Sequence, residues 1–268
     1  MTASRLDRYV QRIGHTAGTD PTLANLQQIC WLHQLAIPFE NLDIALQPTP
    51  ISLNADDILT KVVDRRRGGY CFEQNGLLAL MLEDMGYTVT MGYATWITED
   101  GEHVPPFDHL LLRVTIPGID HAWVADVGFG RNTPSRPVAL VEGVEALHVE
   151  SSLIYTAVPL DLPDRQWSIR WRSPQDTTWQ LLYDLDLRPR TMADFQHRHV
   201  YHQTSPDSVF QKGPICSKPT IDGRITLAGD TLVVTTNGER QEIRLLTVEE
   251  QRHALAQWFD ITLEEHAP

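Results

Sequence analysis

The feature that most constrains the fold of this chain is a change in its hydrophobic pattern near residue 87. Between Leu23 and Leu35, apolar residues recur at three-residue spacing, which predicts an amphipathic helix. From Tyr87 to about Leu187, short segments rich in β-branched and aromatic residues are separated by turn residues, which indicates antiparallel strands. Both patterns occur in the residues after about Leu187. The sequence therefore predicts an α+β fold that is helical first, then β, then mixed.

Capping residues predict where several helices begin. Asp20 is suited to cap the helix that contains Leu23–Leu35, and Asn54 is suited to cap a second helix. Thr247 and Glu250 form a Thr-x-x-Glu capping box, so we expect a last helix to begin there.

The composition argues against two classes of partner. The formal net charge is −13, from 22 Lys and Arg against 35 Asp and Glu, and a field of that sign repels nucleic acid and anionic membranes. The longest apolar run, Leu77–Leu82, is far too short to span a membrane. The N-terminal stretch has no apolar signal-peptide segment, so we expect a cytoplasmic protein.

Three widely spaced cysteines limit the kinds of site that this chain can form. Cys30, Cys71 and Cys216 form no CxxC pair and no paired Cys/His spacing, so we expect no metal site, and without an export signal a disulfide framework is not expected. Cys30 lies beside the apolar stripe of a predicted helix, which favours simple packing. For Cys71 a buried hydrophobic role and a nucleophilic role remain.

The surroundings of Cys71 favour a nucleophile. It follows Gly68–Gly69 closely and stands where a helix is predicted to begin, so unsatisfied N–H groups and the helix dipole would favour its thiolate. The two glycines let the backbone turn tightly and leave the sulfur uncovered. Arg66–Arg67 could strengthen the positive field. The N–H groups of Cys71 and Phe72 are candidate oxyanion donors.

A thiolate nucleophile needs a base and a group that orients the base. His109 begins one predicted strand, Asp126 ends the next, and a hairpin centred on Pro117–Gly118 would place the two side chains opposite each other. A shift of the turn centre by one residue would make them a diagonal pair instead. The alternative is that both are ordinary polar residues at strand ends.

Several segments together resemble the arylamine N-acetyltransferases. They are IPFENLD (Ile37–Asp43), RGGYCFEQNG (Arg67–Gly76), FDHLLLRV (Phe107–Val114), DVGFG (Asp126–Gly130) and SPDSVF (Ser205–Phe210). The resemblance implies that Cys71 is the nucleophile, His109 the base and Asp126 the carboxylate of a catalytic triad. It runs in order through nearly the whole chain.

The resemblance also implies a fold and a reaction. The expected fold is a helical bundle over 1–86, an antiparallel β-barrel over 87–190 and an α/β lid over 191–268, around a core like that of the cysteine proteases. The expected reaction transfers an acetyl group from acetyl-coenzyme A to Cys71, and from there to an arylamine or hydrazine. Acetyl-coenzyme A is a cosubstrate, and no permanently bound cofactor is expected. The oligomeric state would be a monomer or a homodimer.

The loop after Asp126 is a candidate cofactor site. Gly128 and Gly130 would let the backbone approach a ligand closely, with Arg131 and Arg136 near its phosphates.

Two phenylalanines are candidates for the apolar wall that receives an aromatic substrate ring, Phe129 and Phe39, although Phe39 is equally suited to a core position. The stretch Gln196–Thr204, QHRHVYHQT, departs from the family pattern, because an asparagine and more small hydroxyl residues are expected there. The departure puts lid contacts with the cofactor in doubt.

Three rival functions share part of this pattern. A hydrolase related to papain or transglutaminase has the same order of Cys, His and Asp, but RGGYC and DVGFG favour the acetyltransferases. An amide synthase that uses a longer acyl chain would carry the same motifs. A ligand-binding protein without catalysis would be indicated by a missing triad member, and none is missing.

Overall fold

The computed structural model describes residues 3–46, 48–98, 101–130 and 133–263. The first region is mainly helical and carries one short strand. Its elements are α1 (Arg5–Ile13), α2 (Leu23–Ala36), β1 (Phe39–Glu40), α3 (Leu42–Ala45), α4 (Ala55–Leu59) with a following π-helical turn (Thr60–Asp64), and α5 (Cys71–Asp84). Their apolar sides enclose a core that includes Tyr9, Leu26 and Phe72.

Two of the predicted helix caps are confirmed and one is wrong. The Asn54 side chain caps α4, and Thr247 forms the predicted capping box at the start of the last helix. Asp20 does not cap α2. The Asp20 carbonyl instead accepts the N–H of Thr22 at 2.8 Å in a turn, and the Thr22 hydroxyl caps the helix by accepting the N–H of Asn25 at 3.2 Å.

The second region is an antiparallel sheet. Its strands are β2 (Thr88–Thr95), β3 (His109–Thr115), β4 (Ala122–Ala125), β5 (Val138–Ala139), β6 (Glu145–His148), β7 (Leu153–Leu162), β8 (Arg165–Arg172) and β9 (Gln180–Arg190). In the described part of the chain these eight strands follow the order β5-β4-β3-β2-β9-β8-β7-β6. Since β5 also approaches β7, the sheet is nearly closed and resembles a barrel. Leu111, Tyr155 and Tyr183 belong to its own apolar core.

The third region mixes helix and sheet. It contains 3₁₀ turns at Met192–Phe195 and Val209–Gln211, α6 (Gln196–Thr204), β10 (Ile215–Thr220), β11 (Gly223–Ala228), β12 (Thr231–Thr236), β13 (Glu239–Arg244) and α7 (Val248–Phe259). The strand β1 from the first region pairs with β10, with Phe39 opposite Ser217 and Glu40 opposite Cys216. The sequence did not predict this strand. Cys216 is buried inside β10.

The predicted register of the β3–β4 hairpin is wrong by one step. Leu112 pairs with Ala125. Asp126, the residue after Ala125, therefore lies diagonally across from His109 and not directly opposite it. The turn does form at Pro117–Gly118, because the N–H of Ile119 bonds to the carbonyl of residue 116 at 3.1 Å. Residues 120–121 then lengthen the connection on the β4 side before the two strands begin to pair. The diagonal arrangement, the second of the two predicted, is the one observed.

In the described ranges no helix is long and apolar enough to cross a membrane.

Candidate active site

Cys71 is the first residue of α5, as predicted, and it is 3% exposed. The two glycines before it do not leave the sulfur uncovered, contrary to the prediction, and close packing requires them instead. A Cβ on Gly68 would lie 2.0 Å from the Pro38 carbonyl oxygen, and one on Gly69 would lie 2.6 Å from the Glu73 carboxylate. These residues therefore allow the loop to press against both β1 and the first turn of α5, and the approach fixes where the helix begins.

The arginines before Cys71 do not strengthen its positive field as predicted. Arg67 bonds to the carboxylates of Glu40 and Asp43, with its Nη2 2.7 Å from Asp43 Oδ1. Arg66 pairs with Asp260, with 2.6 Å between Nε and Oδ2. Because these carboxylates neutralise both guanidinium groups, the helix end supplies positive potential near the sulfur that the arginines do not.

His109 and Asp126 form a buried pair. The His109 Nε2 lies 2.7 Å from Asp126 Oδ2, and both residues are 3% exposed. Since Nε2 is engaged by the carboxylate, Nδ1 is the ring nitrogen left for the thiol. The Cys71 sulfur is close enough to interact with the imidazole, and it lies 3.8 Å from the carbonyl oxygen of Asp108. The structure thus brings the three predicted triad residues together.

The Asp126 carboxylate accepts further hydrogen bonds. Its Oδ1 accepts from the Asn75 side-chain amide and from the N–H of Gly128, both at 2.9 Å. Its Oδ2 accepts from the Tyr183 hydroxyl at 3.2 Å. These donors stabilise the ionised carboxylate in a site from which water is excluded.

Sequence reasoning missed Asn75 and Tyr183. Asn75 follows Cys71 by four residues, so both lie on one face of α5, and this spacing was a usable signal. The Asn75 amide also donates to the carbonyl of Leu110 at 2.7 Å, and its oxygen accepts the N–H of Val127 at 3.0 Å. It therefore ties α5 to both strands of the hairpin. Tyr183 lies on β9, and nothing local in the sequence singles it out.

The electrostatics of the pair favour an imidazolium. Burial by itself lowers the pKa of an imidazole, but the charge and hydrogen bond of Asp126, together with the Cys71 sulfur, outweigh it and raise the pKa of His109 to about 10. Burial by itself raises the pKa of a carboxyl, but the His109 charge and the donors around Asp126 lower the pKa of Asp126 below its usual value. The site therefore stabilises opposite charges on the two side chains.

The other two thiols lack these features. Cys30 and Cys216 are free and buried, and burial raises the pKa of each thiol. Within the described residues, no group of three or more His, Cys, Asp or Glu side chains is arranged to hold a metal ion.

The glycines of the DVGFG loop differ in their surroundings. A Cβ on Gly128 would lie 2.8 Å from the Cα of Cys71, so this glycine lets the loop press against Cys71 itself. Gly130 has a φ of +88° and borders a narrow cleft. Arg131 lies outside the described residues. Arg136 is held by Glu150, with 2.6 Å between Nη2 and Oε1.

The two predicted substrate residues lie on different sides of the site. The Phe129 ring stands edge-on to His109, Trp96 and Tyr183, with centroids 5.0, 5.1 and 5.0 Å away. Trp96 was not predicted. Phe39 is half-buried, packs against Phe210 and also borders the cleft. The cleft lies between the three regions and is lined by Gln34, Ile37, Phe39, Val127, Gly130, Thr133, Ser217, Pro219 and Arg224.

Comparisons with known proteins identify the family of this chain. A family model described as N-acetyltransferase matches residues 22–267. The arylamine N-acetyltransferase of Mycobacterium tuberculosis is 36% identical over 96% of this chain and 89% of its own. The human arylamine N-acetyltransferase 1 is 32% identical over 97% of this chain and 94% of its own.

Solved structures agree in fold. The arylamine N-acetyltransferase of Salmonella typhimurium superposes with a TM-score of 0.87 at 28% identity, covering 99% of this chain and 94% of that one. The Mycobacterium marinum enzyme in complex with CoA superposes with a TM-score of 0.83 at 32% identity, covering 96% and 92%. With a family match over most of its length and relatives above 30% identity, this chain belongs to the arylamine N-acetyltransferases and is an acyltransferase.

Proposed function

We propose that this protein transfers an acetyl group from acetyl-coenzyme A to an arylamine or arylhydrazine through an acetyl-Cys71 intermediate. The observation that supports it best is the assembly of Cys71, His109 and Asp126 from three separate segments into one buried site. The family membership supports the reaction class, and the structure of the Mycobacterium marinum relative with CoA supports the donor.

In the first half-reaction the Cys71 thiolate attacks the thioester carbonyl. A bond forms between Sγ and the acetyl carbon, the bond from that carbon to the coenzyme A sulfur breaks, and His109 protonates the departing thiolate. The N–H groups at the start of α5, those of Cys71 and Phe72, have no partner within the helix and are suited to stabilise the oxyanion. Asp126 holds the imidazolium in place throughout.

In the second half-reaction the amine nitrogen attacks the acetyl-Cys71 carbonyl. His109 takes the proton from nitrogen, and the Cys71 thiolate departs. Thioester exchange leaves a reactive acyl-enzyme, so the amine needs orientation more than activation. The ring of Phe129, edge-on to His109, offers an apolar surface that a planar arylamine fills and water does not.

We place the entrance for the ligands at the cleft between the three regions, which must widen to admit them. Phe39 and Gly130 line this cleft. The Arg224 guanidinium, which also lines it, donates to Ser217 Oγ at 3.0 Å and to the carbonyl of Gly130 at 3.3 Å. This arrangement keeps a positive charge at the cleft, which suits a cosubstrate that carries phosphates. Gly128, Gly130 and Arg131 remain our proposed contacts for that cosubstrate.

Intact mass spectrometry tests the intermediate. We expect acetyl-coenzyme A alone to add one acetyl group to the protein, and peptide mapping to place it on Cys71. An aniline or aryl hydrazine should discharge it quickly, and initial rates should give the parallel double-reciprocal lines of a ping-pong mechanism. Cys71→Ser should abolish the adduct, whereas the matched variant Cys30→Ala should retain it because Cys30 is buried in helix packing.

Three results would contradict the proposal. Rapid acetate release without an amine would indicate a hydrolase. Acylation only by longer acyl thioesters would indicate an amide synthase. The absence of any adduct from a folded protein with every short acyl-coenzyme A would indicate a different donor.

A further inference from the structure

The helix α6 carries the histidine-rich stretch that departs from the family pattern, and several of its side chains point into the molecule. His199 and His202 are 2% exposed. Their rings pack against Tyr70 and Phe72, the residues on either side of Cys71, with centroids between 5.9 and 6.2 Å apart. This helix therefore lies behind the segment that carries the nucleophile.

The same helix binds the residue next to the proposed base. Arg198 donates to Asp108 Oδ1 through Nε at 2.7 Å and also through Nη2. Both side chains are largely buried, at 15% and 16% exposed, so solvent screens this ion pair less than a surface pair. The guanidinium carbon also lies 4.0 Å from the centre of the Tyr201 ring, which restricts its orientation. His202 Nε2 lies 3.2 Å from the same carboxylate oxygen.

Asp108 is connected directly to both reacting groups. Its peptide bond leads into His109, and its carbonyl oxygen lies 3.8 Å from the Cys71 sulfur. A rotation of the Asp108 backbone therefore moves the imidazole and changes the surroundings of the thiol at the same time. A side-chain contact that fixes Asp108 therefore helps to fix the distance between the His109 imidazole and the Cys71 thiol.

The backbone before Asp108 does not hold this position unaided. Phe107 has a φ of +67°, a left-handed conformation that costs free energy for a residue with a bulky side chain. Contacts from elsewhere maintain it, because the Phe107 ring packs 4.5 Å from that of Tyr93 and 5.5 Å from that of Phe195, next to α6. The Arg198–Asp108 pair is the polar part of the same support.

We propose that Arg198 and Asp108 are positioning residues, whose ion pair holds the Asp108 backbone so that the Cys71 thiol and the His109 imidazole stay aligned. The inference rests on the proposed function and deepens it. Arg198 acts through Asp108, and Asp108 acts through its own peptide groups. The helix α6 then supports the site from behind.

Two single variants and their double variant test the proposal. In Asp108→Asn and in Arg198→Met, we expect kcat for acetyl transfer to fall roughly 10- to 100-fold with KM within about twofold, because small misplacements of reacting groups are costly. The double variant should be no worse than either single one, because all three lack the same interaction. Arg198→Lys should recover part of the loss, since it retains the charge without the forked geometry.

The double variant also separates positioning from a simple charge effect. It removes one negative and one positive charge, so a purely electrostatic role predicts that its rate returns to the wild-type value. Positioning predicts that it stays impaired. Restored rates, losses that multiply, or rates within about twofold of wild type in the folded single variants would each overturn the proposal.

A matched ion pair provides the control for stability. Arg5 binds Asp84 with two contacts of 2.6 Å, at the far end of α5 and about 20 Å along the helix from Cys71. Arg5→Met and Asp84→Asn should change thermal stability but not kcat.

A second readout is independent of acetyl transfer. Alkylation of Cys71 by iodoacetamide requires an aligned thiol and base but no acyl donor. We expect the double variant to be alkylated at least about threefold more slowly than wild type at neutral pH. If wild type forms no acetyl-enzyme, the proposed function fails while this measurement still decides the positioning role; an unchanged alkylation rate in the double variant would overturn it.

Discussion

The two sides of the active site are built in different ways. On the Cys71 side, the residue is placed by the contiguous run Arg67–Gly76, whose Gly68 and Gly69 press against Pro38 and Glu73. On the base side, His109 and Asp126 lie on β3 and just after β4, and the carboxylate also depends on Tyr183 from β9. One side is local in sequence, and the other is assembled from distant strands.

This difference determines which structural changes would displace the residues on each side. The position of Cys71 follows from the start of a helix, which a few neighbouring residues determine. The position of His109 follows from strand register, and a slip of one residue would turn a side chain to the other face of the sheet. Asn75 bridges the two sides, since it lies one turn after Cys71 and donates to Asp126 at 2.9 Å. The predictions below test how strongly the two sides depend on each other.

The largest effect is expected from Asp126→Asn. The rate of acetyl transfer should fall on the order of 10³-fold, because His109 loses the carboxylate that orients it and stabilises its charge. Steady-state kinetics on folded protein measures this. Asp184→Asn is the matched control, a half-buried carboxylate on β9 that pairs with Arg165, and it should stay within a few fold of wild type. A folded Asp126→Asn protein with near-normal rates would refute the pairing.

The second prediction concerns the protonation of His109. Nuclear magnetic resonance of the imidazole should give a pKa near 10 in the wild-type protein. In Asp126→Asn the pKa should fall, because burial then acts without the opposing carboxylate. An imidazole that titrates at the same pH in both proteins would contradict the assigned cause.

The same shift predicts how stability depends on pH. Because the folded pKa of His109 is raised, the pair contributes stability fully below about 6.5, and this contribution is lost as the pH rises through about 10. The melting temperature should therefore fall more steeply with rising pH between these two values in wild type than in His109→Gln. Equal slopes would show that the pair contributes nothing in this range.

An intermediate effect is expected from Gly128→Ala. The added Cβ would lie 2.8 Å from the Cα of Cys71, so the loop and the nucleophile helix must separate. We expect a loss of roughly 10-fold or more in acetyl transfer. Gly118→Ala is the control, because its φ of +80° makes the change strained by about 1 kcal/mol while no atom lies within 4 Å. Equal activities in the two variants would show that close contact between loop and helix is dispensable.

The smallest effect is expected from Tyr183→Phe. It removes the hydroxyl that donates to Asp126 at 3.2 Å, but Asn75 and the Gly128 N–H remain. We expect about a threefold loss in rate, which corresponds to less than about 1 kcal/mol. Tyr155→Phe, another buried tyrosine of the barrel, should show no loss. A loss as large as that of Asp126→Asn would place Tyr183 in a more direct role.

Predictions from the sequence succeeded where the determinants are close together in the chain. The start of α5 at Cys71 and the cap at Asn54 depend on a few adjacent residues, and both are confirmed. The cap at Asp20 was wrong because Thr22, two residues later, competes for the same role. The strand β1 could not be predicted, because two residues become a strand here by pairing with β10, far along the chain.

The sequence by itself determined the order of helical and β regions, the start of α5 at Cys71 and the choice of His109 and Asp126 as its proposed partners. These depend on periodicity, helix capping and the order of motifs, which are local properties. The tertiary structure alone decided the diagonal register of His109 and Asp126, the hydrogen bonds from Asn75 and Tyr183, and the pairing of Arg66 and Arg67 with carboxylates. Each of these requires chain segments distant in sequence to meet, and apart from the position of Asn75 one turn after Cys71 no local pattern records which segments will do so.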